Sequence, residues 1–402
     1  MAGSSRTASE ERRTHAPPQW SAGAAATVLF GTTIGYSGLV ALPLWVAAVC
    51  AEPGVSRAAV GVIGSVQLLA AAIASLTLSA QVARLPLRQT AVAAALGIFA
   101  ANLLCVFAAG TVSLAVCRAA SGLGEGALLA VLNAAIARRP DAGRVFAVSQ
   151  LCLGCVSATV FFCVPPLIAR FGRTAPFGFV AVLAALGVVL LLLNRFETPP
   201  ESPAALPAGA GRKRLNAGDW YGLAIFWCLY AGLEGVWTFV VPLGRDVGVG
   251  LDRMGAVLAA GAVVAIVGPL IARGGSGRLA APGLVAVGLV LSALAAALST
   301  FPHNAVLYEV GVFAIQPVTL FNIAVIMAFL AITDRTGRAA AAAPAAINLG
   351  SAGAPAVAGY GLMLGGGHVL GIFAVGMHAL ALLALMLAVR GQMRATRRVH
   401  AN

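Results

Sequence analysis

Long apolar runs alternate with short polar intervals along this chain, and the lengths of the runs decide which elements they form. A helix that crosses a bilayer needs about 20 apolar residues, and twelve runs meet that requirement. Six lie near 21–49, 58–80, 90–109, 112–137, 145–168 and 174–194. A polar, proline-containing interval follows, and six more runs lie near 217–243, 254–272, 280–300, 304–331, 338–364 and 367–389. The pattern predicts an all-α membrane protein with twelve transmembrane helices in two pseudo-symmetric six-helix bundles. The expected division is a tail over 1–20, a bundle over 21–194, a central loop over 195–216, a bundle over 217–390 and a tail over 391–402.

Composition agrees with this reading. Apolar residues make up 60% of the chain and charged residues only 10%, with a mean hydropathy of +0.94, whereas a soluble domain carries about 25% charged residues. The net charge of +13 would suit a nucleic-acid partner if it were concentrated. It is instead spread in twos and threes over many short intervals, as topology signals are. Nucleic acid is therefore excluded, and the lipid bilayer is the expected partner.

The same basic residues give the orientation. Twenty fall on the side of the two chain ends, against five on the other, namely Arg57, Arg170, Arg173, Arg245 and Arg253. Positive loops stay inside, so both termini are expected in the cytoplasm, with the protein in the cell inner membrane. The polar stretch Met1 to Gln19 lacks a signal-peptide cleavage site and reads as a cytoplasmic tail. Seven cysteines scattered in or beside apolar runs form no disulfide framework.

The two halves repeat each other. Pro43-Leu44 and Pro242-Leu243 close the first and seventh runs. Ala83-Arg84 with Arg88, and Ala272-Arg273 with Arg278, follow the second and eighth. Asp141-Ala-Gly143-Arg144 and Asp334-Arg-Thr-Gly337-Arg338 follow the fourth and tenth. Each pair is about 190 to 200 residues apart. Transporters built from two such repeats hold their substrate between the halves, near the bilayer midplane.

The fourth run carries the strongest chemistry: Leu114-x-x-x-Arg118-x-x-Ser121-Gly122-x-Gly124-Glu125-Gly126. A charge placed in hydrocarbon costs roughly 3 kcal/mol or more, and here two opposite charges stand seven residues apart. At 3.6 residues per turn they share a face. Their rise is about 10 Å, which argues against a relaxed direct contact and for separate partners or water. Glu234, in Gly232-Leu-Glu234-Gly235, repeats the glycine-flanked acid in the second half, nearer the outer side. Glu309 lies close to the outer end of the tenth run and reads as a solvated charge. Cys152-Leu-Gly-Cys155 lacks supporting histidine or methionine and reads as packing, as does His378; no metal or other cofactor is expected. No phosphate-binding loop, Gly-x-Ser-x-Gly or His-Glu zinc spacing occurs, so the chain reads as no enzyme.

From these residues the chain resembles the major facilitator superfamily over 20–390. Leu114, Arg118, Gly122 and Gly124 match the family's L-x-x-x-R-x-x-q-G-x-g-a-a motif, with Ser121 at the usual glutamine and Glu125 where a small neutral residue is usual. The intervals after the second and eighth runs sit where the family has G-x-L-a-D-r-x-G-r. Gly268, Leu270 and Arg273 are kept, little beyond Arg84 in the first copy, and Ala83 and Ala272 replace the acid. The fifth run has Gly154-Cys-Val-Ser-Ala158-Thr159 where drug–proton antiporters carry G-x-x-x-G-P, which weakens an antiport reading.

The resemblance implies a secondary transporter that moves a small organic molecule by alternating access, coupled to protons, and a monomer is expected. Export is slightly favoured by the fourth-run motif. Glu125 is the expected proton carrier, with Arg118 tuning it and sensing substrate. The expected substrate contacts are Tyr36, Gln67, Arg118, Glu125, Asn133, Gln150, Glu234, Gln316, Asn322 and Asn348. Acidic groups in the cavity favour a cationic or neutral amphiphile. An uptake permease for a nutrient or an organic anion, and a non-transporting receptor or assembly partner that binds without flux, are the rival readings.

Overall fold

The computed structural model describes residues 20–82, 84–139, 141–196, 217–275, 281–301, 304–333 and 338–401. Among them there are helices and short connections and no strand. That follows from the apolar runs, because a backbone in lipid has no water to bond and must satisfy its polar groups within the helix. The first half contains α1 (Ala22–Gly35), α2 (Ser37–Cys50), α3 (Arg57–Ser79), α4 (Leu87–Phe107), α5 (Thr111–Ala137), α6 (Ala142–Phe171) and α7 (Thr174–Leu193). The second contains α8 (Ala217–Asp246), α9 (Leu251–Val264), α10 (Val267–Gly275), α11 (Ala281–Thr300), α12 (Ala305–Thr333) and α13 (Arg338–Ala401). Serine hydroxyls start two of them: Ser21 accepts the Ala24 N–H at 3.1 Å, and Ser56 accepts that of Ala59 at 3.2 Å.

The structure departs from the expected spans in three places. The first run is broken at Tyr36, whose N–H bonds back to Thr32 and Thr33, so α1 and α2 are two lengths of one span. The eighth run breaks between α9 and α10. The last two runs are continuous as α13 apart from Gly365 and Gly366. Gly366 has φ +65°, a conformation that glycine adopts without steric cost. Among the described residues eleven helices are long and apolar enough to cross a membrane, the last covering Ala342–Gly391. A straight helix of its 50 residues would be about 75 Å long, against a hydrocarbon core of about 30 Å. The backbone leaves helical geometry within it at the two glycines. Ala83, Arg278, residues 334–337, most of the central loop and the first 19 residues lie outside the described residues, so those parts of the repeat and tails are not placed.

Packing between the halves is uneven along the spans. One buried apolar cluster fills the first half and continues into the second through Leu233–Leu243, Met254, Leu258, Ala262, Val312 and Ala352–Ala374. These residues belong to the span ends remote from the chain termini. The other ends of the second half, among them Ile225, Leu229, Val285, Phe329 and Ala381, form a separate cluster. Specific contacts between halves follow the same division. Trp237 donates to the Leu39 carbonyl at 3.2 Å, Arg245 to that of Ala47 at 3.1 Å, and Arg57 pairs with Asp246 at 2.8 Å. The Ser65 hydroxyl accepts the Ala356 N–H at 2.9 Å. A side chain at Gly61 or Gly359 would strike the facing backbone of Pro355 or Arg57, so α3 and α13 can meet this closely only with glycine there. The halves are thus joined at the ends remote from the termini.

Candidate functional site

The small residues of the fourth run let α5 pack backbone to backbone against α3: a Cβ at Gly122 or Gly126 would fall on the carbonyl oxygen of Gln67 or Ala71. This approach brings Gln67 onto the charged face of α5. Gln67 donates to Glu125 Oε2 at 3.0 Å and Oε1 at 3.3 Å, and its own oxygen accepts Arg118 Nε at 3.0 Å. Arg118 also donates to Asn102 Oδ1 at 2.8 Å. Asn102 donates to the Ser121 hydroxyl at 3.0 Å, and that hydroxyl donates to Glu125 Oε1 at 2.7 Å. The ring Arg118–Gln67–Glu125–Ser121–Asn102 closes on itself. Its members are 0–2% exposed.

One expectation is corrected here. Arg118 NH2 comes to 3.9 Å from Glu125 Oε1, within ion-pair reach, although the rise between their backbones argued for separation. The Cβ of a helical residue leans toward the N-terminus, but a long arginine stem can turn back, and Gln67 and Asn102 hold this one turned. Separate partners do exist, and they are protein groups. The guanidinium carbon also lies 5.3 Å from the Trp45 ring centroid and 5.6 Å from that of Phe177, so aromatic faces cover the cation. On the other flank α2 passes at Gly38, where a Cβ would lie closer than 3.0 Å to Gln67 Nε2 and both Glu125 oxygens. The pair is enclosed within the first half.

Glu234 is placed differently. It is 4% exposed, and its Oε1 has no hydrogen-bond partner. Tyr230, Glu234 and Trp237 follow at helical spacing on one face of α8, and the Trp237 bond to Leu39 turns that face toward the first half. Phe161 of α6 meets Trp237 edge-on at 5.8 Å, and Tyr36 lies one turn before Leu39, whose carbonyl takes the Trp237 bond. Tyr36 and Glu234, both expected at the site, therefore come into one neighbourhood at the seam between the halves.

The remaining candidates separate. Asn133 and Asn348 are half-buried and Gln150 is exposed, all toward the ends of their spans nearer the termini. Gln316 donates to the Leu258 carbonyl at 3.0 Å, tying α12 to α9. Asn322 is fully buried and donates to Gly288 O at 3.1 Å and Ser292 Oγ at 2.7 Å on α11, while its Oδ1 has no partner among the described residues. Glu309, expected to be solvated, is bonded to Arg253 at 2.6 and 2.7 Å. This pair rims a groove of about 390 Å³ with Ala256, Val257, Ala260, Val310 and Phe313, away from both acids. His378 is packed as expected, with Nδ1 2.6 Å from the Ala374 carbonyl. Asn102, Trp45, Phe177, Phe161 and Tyr230 were not expected at the site. Asn102 alone had a sequence signal, as an amide in the middle of an apolar run.

Several solved structures share this fold. A nucleoside transporter, NupG, superposes with TM-score 0.73 at 14% identity, covering 91% of this chain and 99% of that one. A D-xylose–proton symporter gives 0.64 at 16%, covering 91% and 96%. The human organic anion transporter MFSD10 (TETRAN) gives 0.62 at 14%, covering 92% and 100%. At such identities the likeness is one of fold. No curated protein matches the chain in sequence. Residues 22–343, however, match the family model, and with the helical architecture and the fourth-span motif they place this chain in the Major Facilitator Superfamily, as a multi-pass membrane transporter.

Proposed function

We propose that this transporter carries a small organic molecule by alternating access between its two halves, coupled to protons, with Glu234 as the coupling carboxylate. One observation carries the assignment: a buried acid with an unpartnered oxygen stands at the seam where the halves meet. Alternating access rocks one bundle against the other around a fixed site. Groups enclosed within one bundle keep their neighbours during such a motion. Glu125 is enclosed in that way, whereas Glu234 exchanges its surroundings as the seam opens. A carboxylate in an apolar setting must be neutralised, paired or hydrated, so a change of surroundings takes up or releases a proton. Arg118 and Glu125 then hold the first half rigid.

The arginine asymmetry supports an inner-membrane protein with both termini cytoplasmic, and joined outer ends then belong to an inward-facing state. Export, which the fourth-span motif favours, is the direction adopted. The test is flux in proteoliposomes with an imposed pH gradient, using a substrate found by thermal-stabilisation screening. Glu234→Gln is expected to exchange substrate while losing its response to the gradient, and Glu125→Gln to keep that response in whatever protein folds. A gradient response retained by Glu234→Gln would sink the coupling assignment. Net uptake would make the chain a permease, and binding without flux a receptor.

A further inference from the structure

We propose that the seam site is selective for an organic cation, a protonated amine on an aromatic or aliphatic body, held by Glu234 between Tyr230, Trp237, Tyr36 and Phe161. This deepens the transport reading and rests on it for the location of the pathway. Three observations combine. The first is the free acceptor: Glu234 Oε1 is buried and unbonded, and among the described residues no ion pair includes this carboxylate. An N–H⁺ donor supplies both the missing bond and the missing charge, and bonds to charged groups are roughly twice as strong as neutral ones.

The second is the character of the surroundings. Tyr230 and Trp237 flank the acid on its own helix face, Phe161 stands edge-on to Trp237, and Tyr36 stands at the break in the first span, one turn before the Leu39 carbonyl that Trp237 bonds. Aromatic rings attract cations through their π faces, and the neighbouring carboxylate repels an anion. The third is the fate of the arginines. Arg118 is bonded inside the first half and Arg245 donates to Ala47 O, so neither is free to meet an anionic substrate at Glu234. Tyr36 and Tyr230 are half-buried while Glu234 is buried, so a ligand arriving from the terminus side meets the phenols first and the acid last.

The experiment uses a matched pair of probes, 1-naphthylmethylamine and 1-naphthylmethanol, which share a ring and differ in charge. Binding to the purified full-length protein in detergent is read by thermal stabilisation, with no gradient present. The amine is expected to bind at least tenfold more tightly than the alcohol. Glu234→Gln, which preserves shape, is expected to erase that preference, while Glu309→Gln, at the distant groove, keeps it. Equal binding of both probes, binding of neither, or an undiminished preference in Glu234→Gln overturns the proposal. Because binding is measured without transport, loss of flux would fail the transport reading alone, and equal binding would fail the cation assignment alone.

Discussion

Two buried acids, Glu125 on the fourth span and Glu234 on the seventh, are both flanked by glycine and stand in opposite physical situations. Glu125 accepts from Ser121 and from Gln67 and has Arg118 within ion-pair distance. Glu234 has one oxygen with no partner. Flanking glycines are common to both, so the local sequence does not separate them. What separates them is the neighbouring helix. Around Glu125 the glycines face α3 and draw Gln67 into bonding range, whereas Gly232 and Gly235 face α13 and leave Glu234 turned toward the other half. A satisfied acid fixes a structure. An unsatisfied one is available to a proton or a ligand.

The largest expected effect is on the satisfied site. Arg118→Ala removes the cation and two of the ring's bonds, and breaking a buried pair by deleting one partner costs about 3–5 kcal/mol. Thermal unfolding in detergent should show a pronounced drop in Tm, and adding Glu125→Gln should recover part of it by removing the stranded charge. A wild-type Tm for Arg118→Ala would mean that the ring does not hold the first half together. Next comes Gly38→Ala, which pushes a methyl group into Gln67 and Glu125; overpacking of this kind costs about 1–3 kcal/mol. Gln67→Ala in the same chain should relieve the clash, so the two changes are expected to be non-additive.

A third prediction concerns the seam instead of the acids. Gly61→Val wedges α3 from α13 at Pro355, where no side chain fits. It should favour separation of the outer ends and raise, several-fold, the labelling of a cysteine at Leu39 by an impermeant reagent, in a background lacking native cysteines. Unchanged labelling would show that the joined ends do not depend on this contact.

Much of the fold was legible from the sequence because spanning helices depend on local composition. The observed Arg57–Ser79 and Thr174–Leu193 lie within a residue or so of the apolar runs. The break at Tyr36 was missed because the apolar run continues through it without a proline, although Gly35, Ser37 and Gly38 flank it. The charged pair was legible as a site, because ions inside apolar runs are conspicuous. Its closure was not. Spacing gives the start of an arginine side chain, while the position of its far end is set by Gln67 and Asn102 on other helices. Trp45 and Phe177 look like ordinary apolar residues until the fold lays them against the guanidinium.

The smallest expected effect on stability is at Glu234, and it tests the comparison most sharply because the same isosteric change can be made at both acids. Glu125→Gln replaces an acceptor-only oxygen with an NH₂ group, which opposes the donors Ser121 and Gln67 and leaves Arg118 without its anion. Hydrogen bonds to charged groups contribute about 1.5–3 kcal/mol each, so Tm should fall clearly. In Glu234→Gln, Oε1 has no bond to lose, and a neutral amide is less costly to bury than a carboxylate. Its Tm should stay within about 0.5 kcal/mol equivalent of wild type, on the scale of surface substitutions, or rise. Measured side by side, the two glutamines should therefore move stability by different amounts while gradient-driven flux is lost only at Glu234. If Glu234→Gln lowers Tm as far as Glu125→Gln, its carboxylate has a structural partner after all, and the division into a fixed acid and an available one fails.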